Sequence, residues 1–277
     1  MTLRRRVLPI TILLLGWVVC PAVAQEEGEP KVRARLVADT AEIEPGSTFR
    51  VGVHFEIEDG WHIYWRHPGG AGLATAIDFE LPGGFAVGEL QWPLPMAFDQ
   101  SEGIPGYGYE GSVVLAAEVE APAAFDRSAP ASLSAEVSWL ACKGVCVLGS
   151  AELESSLTDL TADERFAKWG ERVPEPLDEP NAPFTLSATG GLADGVITHW
   201  LRWRDSPRPV EWFPNPSEAI EVGTVRVQTR GGLTRIDAEV RPRKGATGSI
   251  DTLPSLVVMT ESNGTRRGWQ ISVDLTN

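Results

Sequence analysis

Cysteine is nearly absent from this chain, with three among 277 residues, and that excludes the small secreted scaffolds that many disulfides hold together. Histidine is almost as scarce: His54, His62, His67 and His199 are the whole supply, which leaves little material for a metal centre. Basic residues are outnumbered, 24 Lys and Arg against 38 Asp and Glu, for a net charge of −14. A surface so acidic is a poor match for nucleic acid, and no nucleic-acid partner is expected. Beyond the N-terminus no apolar run approaches the roughly 20 residues that a membrane-spanning helix requires.

The N-terminus itself reads as an export signal. Arg4, Arg5 and Arg6 precede an apolar run from Val7 to Val19, and Ala22-Val23-Ala24 has the small-residue pattern of a cleavage site. Cys20 lies inside this segment, and the bulky Val19 before it argues against a lipid anchor there. Cleavage after Ala24 would remove three arginines and no acid, taking the net charge from −14 to −17. The product is expected to be exported, and an oxidising compartment permits a disulfide.

Residues that remain after residue 24 alternate in polarity. Phe49, Val51, Val53, Phe55 and Ile57 fall on one face of an extended segment; Ile77, Phe79 and Leu81 repeat the pattern, as do Leu133, Ala135, Val137 and Trp139. Period two over such lengths predicts half-buried strands. Turn signals such as Glu58-Asp59-Gly60 and Pro82-Gly83-Gly84 separate them, so residues 30–160 are expected to form an antiparallel sandwich. Thr161-Ala162-Asp163-Glu164 has the pattern of a capping box, with Phe166, Trp169 and Val173 then at helical spacing, which predicts one short helix near the junction. Four prolines and three acids in 174–183 read as an extended linker, making 161–183 a helix and connector. Alternation resumes at Val225, Val227, Ile236, Ala238, Val240 and Trp269 through Leu275, so 184–277 is expected to be a second small β domain. Nine of the ten tryptophans lie beyond the export signal, and they are read first as core material and only second as a sugar-binding surface.

Cys142-Lys143-Gly144-Val145-Cys146 holds the two cysteines outside the export signal. As a staple the pair is weak. Closing a five-residue loop stabilises by roughly 2 kcal/mol in the chain-entropy view, against almost 5 for a hundred-residue loop. Positions four apart on a straight strand lie roughly 13 Å from each other, too far for a disulfide. Val137, Trp139, Val145 and Val147 favour strand, and Gly144 can supply a tight turn, so the pair is expected where one strand turns into the next at the sheet rim. Lys143 sets a positive charge beside both sulfurs, which favours thiolate, while the acidity of the surrounding chain works against it and leaves the net shift unsigned. Spacing alone leaves three readings open: redox exchange, an inert or static clip, and a metal site with His62 or His67.

A set of motifs in fixed order narrows this. Asp59-Gly60-Trp61-His62-Ile63-Tyr64-Trp65, Leu81-Pro82-Gly83-Gly84-Phe85, Gln91-Trp92-Pro93, Tyr107-Gly108-Tyr109-Glu110-Gly111 and Val137-Ser138-Trp139-Leu140-Ala141-Cys142 through Cys146 resemble the N-terminal periplasmic domain of DsbD-type thiol:disulfide interchange proteins, including the copper-sensitivity-suppressor branch. The resemblance covers about residues 31–160, and the second unit resembles the region that follows in longer members of that branch. It implies an immunoglobulin-like sandwich whose cysteine pair shuttles between dithiol and disulfide without any cofactor. It also implies thioredoxin-fold redox proteins as partners. By this resemblance Cys146 forms the mixed disulfides and Cys142 resolves them. A family loop that caps the pair corresponds to about Phe98–Tyr107, so Phe98 or Tyr107 is the candidate shield, with ordinary packing as the alternative for Phe98. For Tyr107 and Tyr109 the alternative is a corner-forming hydrogen bond. Tyr64 and His62 align with aromatic groups near the pair. The chain departs from the best-known members in the shorter spacing of its cysteines, and a separate membrane protein is the expected conduit for electrons. The rivals are a binding sandwich with a static disulfide and a Cu(I)-handling protein using Cys142, Cys146 and His62 or His67.

Overall fold

The computed structural model describes residues 30–101, 104–125, 131–178, 180–245 and 250–276. The expected export signal, residues 1–24, lies outside the described residues. Among those described, ten strands occupy the first half: β1 (Val32–Ala38), β2 (Thr48–Ile57), β3 (His62–Gly69), β4 (Ala76–Glu80), β5 (Ala86–Gln91), β6 (Met96–Ser101), β7 (Ile104–Glu110), β8 (Ser112–Glu120), β9 (Ser132–Lys143) and β10 (Val145–Ser156). They pair antiparallel into two sheets, β1-β2-β8-β5 and β10-β9-β3-β7-β6, with β4 beside β9. The protein is all-β, an immunoglobulin-like antiparallel sandwich followed by a second β domain.

The period-two reading of β2 is visible in the packing. Phe49, Val51, Val53, Phe55 and Ile57 are all buried, and Phe55 meets the Trp139 ring edge-on at 5.7 Å across the core. The opposite face of β2 is also covered at its centre, although alternation by itself assigns that face to solvent. His54 is buried, its ring held by Arg35 Nε at 3.1 Å and Ser112 Oγ at 2.8 Å. What covers this face is the segment after β10. It forms two short 3-10 turns, Glu164–Lys168 and Gly170–Arg172, in place of a continuous α-helix. The cap is Asp163, whose carboxylate accepts from the Arg165 amide, and not Thr161. Trp169 is buried against Val37, Val114 and Ala116, and its Nε1 donates to Val114 O at 3.0 Å. Burial on both faces accounts for the unbroken apolar run Val113-Val114-Leu115-Ala116-Ala117 in β8.

The second half holds β11 (Glu175–Pro176), β12 (Phe184–Gly191), β13 (Val196–Trp203), β14 (Val210–Pro214), β15 (Ile220–Arg230), β16 (Leu233–Pro242), β17 (Thr252–Thr260) and β18 (Arg266–Asp274). Its sheets run β11-β18-β17-β14 and β12-β13-β16-β15. Phe184, Ile197, Leu201, Trp203, Trp212, Val257 and Trp269 are among those that fill the space between them. The two halves share a wall. Along β17, Val257 and Met259 point into the second core, while Leu256 and Val258 join the first. Phe213 of β14 does the same, its ring 6.2 Å from Trp65 and 5.2 Å from Tyr107.

Candidate redox site

The site is the end of a long hairpin. β9 and β10, twelve residues each, pair in register from Ser132↔Ser156 up to Lys143↔Val145, and Gly144 alone turns the chain. Its φ of 70° is a left-handed conformation that a residue with a Cβ rarely adopts. The register sets Cys142 directly opposite Cys146, with Cα atoms 4.1 Å apart, and the two form a disulfide. The pair therefore sits at the rim, where one strand becomes the next.

The two sulfurs have different surroundings. Cys142 is 4% exposed, whereas Cys146 is open to solvent on the edge strand of its sheet. The groups beside Cys142 come from β3, with β6 packed against them. His62 pairs opposite Cys142 in the ladder, and Tyr64, two residues on, shares that face. The Tyr64 hydroxyl donates to Cys142 Sγ at 3.4 Å, and His62 Nε2 lies 3.4 Å from the same hydroxyl oxygen. Phe98 of β6 closes the group, its ring centroid 4.0 Å from that of His62 and 5.9 Å from that of Tyr64. Gly106, opposite Phe98 in the β6–β7 ladder, makes room for this, because a Cβ there would run into the Phe98 ring.

Burial tunes these groups. It pushes the Tyr64 phenol above its ordinary value, so the hydroxyl keeps its proton at neutral pH and can donate to sulfur. Burial also lowers His62, against an opposing pull from Glu110, and the ring is held toward its neutral form.

The remaining candidate residues lie elsewhere. Lys143 donates from Nζ to Asp59 O at 2.8 Å, which ties the hairpin tip to the turn before β3. Tyr109 is buried and donates to Pro93 O at 2.8 Å, a corner-forming hydrogen bond. Tyr107 packs in the core against Phe213 and does not join the group around Phe98. His67 is half-buried where the two halves meet, lining a cavity with Arg243, and is lowered to about 4 by desolvation and by that arginine. Among the described residues no group of three or more His, Cys, Asp or Glu side chains is placed to hold a metal ion. Phe213 escaped sequence reasoning altogether; in Val210–Pro214 the apolar neighbours Trp212 and Phe213 were the available sign of a strand buried on both faces.

Comparison with known proteins bears on this geometry. Residues 33–158 match the family model described as thiol:disulfide interchange protein DsbD, N-terminal. This segment resembles a DsbD-type N-terminal domain. No curated protein matches the chain by sequence. Among solved structures, the chain is similar to the N-terminal periplasmic domain of ScsB from Proteus mirabilis, with a TM-score of 0.67 at 20% identity. The alignment covers 91% of this chain and 97% of the other, so the likeness in fold takes in both halves and not the DsbD-type domain alone. Within that domain, the hairpin disulfide is the group able to undergo thiol exchange: one sulfur within reach of solvent, the other beside a hydroxyl donor.

Proposed function

We propose that the protein is an exported, periplasmic thiol–disulfide relay that works through Cys142 and Cys146. The observation that carries this reading is the inequality of the two sulfurs. Exchange begins with attack of a thiolate on a disulfide sulfur, and the sulfur attacked must be accessible while the other leaves. Cys146 is the accessible one. A donor thiolate attacks Cys146 Sγ, a bond forms between the two chains, and the electron pair of the broken disulfide passes to Cys142 Sγ. Tyr64 donates a hydrogen bond to that sulfur, which favours the departing thiolate. A second donor thiol then releases the donor as a disulfide, leaving both cysteines reduced. In the return half, the Cys146 thiolate attacks the disulfide of an oxidised acceptor. Cys142 thiolate attacks Cys146 in turn, expels the acceptor as a dithiol and restores the internal bond. Two electrons and two protons pass from donor to acceptor.

Thioredoxin-fold proteins are the partners that the DsbD-type family suggests, and a separate membrane protein would feed the donor. Similarity to a periplasmic domain supports the location. Phe98, His62 and Tyr64 limit access from the Cys142 side and act as the cap. The test is trapping: a Cys142→Ser variant leaves Cys146 able to attack but not to resolve. Incubated with an oxidised thioredoxin-fold protein, it should accumulate a mixed disulfide through Cys146, visible on a non-reducing gel. The Cys146→Ser variant should accumulate none. A Cys142→Ser protein that traps nothing, with a wild-type bond that resists a small dithiol, would show that the disulfide is a static clip.

A further inference from the structure

The exposed sulfur lies at the head of a longer surface. Side chains at every second position share a face, so the ladder arranges the outer face of β4, β9 and β10 in rows. The first row is Cys142 and Cys146, and the next is Leu140 opposite Leu148. Ser138 lies between Ser150 and Ala76 in the third. Then Glu136 lies between Glu152 and Asp78, and Ser134 between Glu154 and Glu80. From the middle row onward an open groove of about 850 Å³ follows this face.

Three observations set this face apart. Of the eight large aliphatic side chains exposed among the described residues, three lie within two positions of Cys146: Leu148 at 72% on this face, and Val145 at 64% and Val147 at 48% on the other side of the same edge strand. Apolar surface gathered at a sheet edge favours a partner. Tyr64 stands beside Cys142, backed by His62 and Phe98, which leaves the approach to Cys146 over Leu148 and along β10. Last, Asp78, Glu136 and Glu152 are set directly opposite one another, and none of the three forms an ion pair among the described residues. Like charges facing across a ladder oppose the fold, and a cation supplied from outside relieves them.

We propose that this apolar edge and the groove beyond it dock the redox partner, which presents an apolar contact beside its reactive cysteine and a cluster of lysine or arginine side chains about 20 Å farther on. The spacing follows from six residues of strand between Cys146 and Glu152 at about 3.3 Å each. The inference rests on the relay reading and adds the chemistry by which a partner is chosen.

Two synthetic peptides test it, each with one cysteine, a six-residue Gly/Ser spacer and a terminal run of either lysines or glutamates. The measured quantity is the rate at which each thiol opens the Cys142–Cys146 bond. At low ionic strength the lysine peptide should react roughly tenfold faster, and salt should erase the difference. In a Glu136→Gln/Glu152→Gln double variant the ratio should fall below about twofold at low salt. A Glu118→Gln/Glu120→Gln variant removes the same charge from β8 in the opposite sheet and should keep the tenfold ratio. Equal rates for the two peptides, or equal losses in the two double variants, overturn the docking surface and leave the relay standing. A bond that neither the peptides nor a small dithiol opens overturns both.

Discussion

The two sandwiches place their polar chemistry in opposite positions. In the first, Cys146 is exposed at the tip of the β9–β10 hairpin, and Tyr64 and His62 line the approach to its buried partner. In the second, His199 is fully buried between the sheets, 5.3 Å from the Trp212 ring, and neither ring nitrogen has a hydrogen-bond partner among the described residues. Trp212 Nε1 and Ser255 Oγ are likewise buried and unpartnered. One half exposes a disulfide sulfur at its rim; the other keeps its titratable group out of water. The contrast teaches that a shared architecture assigns no role, since both halves follow the same alternating pattern. Their common wall joins the two, because Phe213 belongs to a strand of the second half and packs in the core of the first.

That wall is where the comparison breaks most visibly. Phe213→Ala removes a fully buried ring from the contact with Trp65 and Tyr107 and should cost about 3–5 kcal/mol, read from a denaturant titration. If the halves depend on each other, disulfide reactivity at the distant hairpin should rise as well; unchanged reactivity and a small loss would show two independent bodies.

Acid should discriminate between the halves next. Burial lowers His199 to about 4 from an ordinary 6.5. Between those values the unfolded chain binds the proton and the folded one does not, so stability is complete above pH 6.5 and falls as pH drops toward 4. The loss from His199 is about 3 kcal/mol by linkage. His199→Phe should flatten that part of the pH–stability profile, and a slope that survives would assign it elsewhere, His67 being the next candidate.

A smaller effect tests the redox site itself. Tyr64→Phe removes the hydroxyl beside Cys142 Sγ and should slow opening of the disulfide by about tenfold, or roughly 1.4 kcal/mol, while leaving the melting temperature unchanged. Thiolate absorbance in the reduced variant should titrate at higher pH than in the wild type. An unaltered rate would remove Tyr64 from the mechanism. Smallest of all, Glu136→Gln relieves the row with Asp78 and Glu152 and should raise stability by about 0.5 kcal/mol in urea. A loss there would mean that the acids are held by the fold and not by a partner.

Much of this was legible along the chain. The apolar face of β2, the turn at Gly144 and the rim position of the cysteines followed from period two and from one glycine, because these are properties of neighbouring residues. The short 3-10 segment was misplaced by its cap, since Asp163 and Thr161 are both able caps and the choice between them rests on what Trp169 packs against. Tyr107 and Phe98 looked alike as candidate shields. The difference is parity on adjacent strands: Phe98 lies on the outer face with His62, and Tyr107 on the inner face with Phe213.

The order of residues by itself determined that this is a β protein with one cysteine pair at a strand turn, because alternation and a tight turn are local and need no distant partner. Tertiary structure alone decided that Cys142 is buried and Cys146 is not, because Tyr64, far off in sequence, reaches one sulfur and is itself packed by His62 and Phe98. The same holds for the row of Asp78, Glu136 and Glu152 and for Phe213 in the first core. Each depends on ladder register or on contact between sheets, which no local pattern specifies.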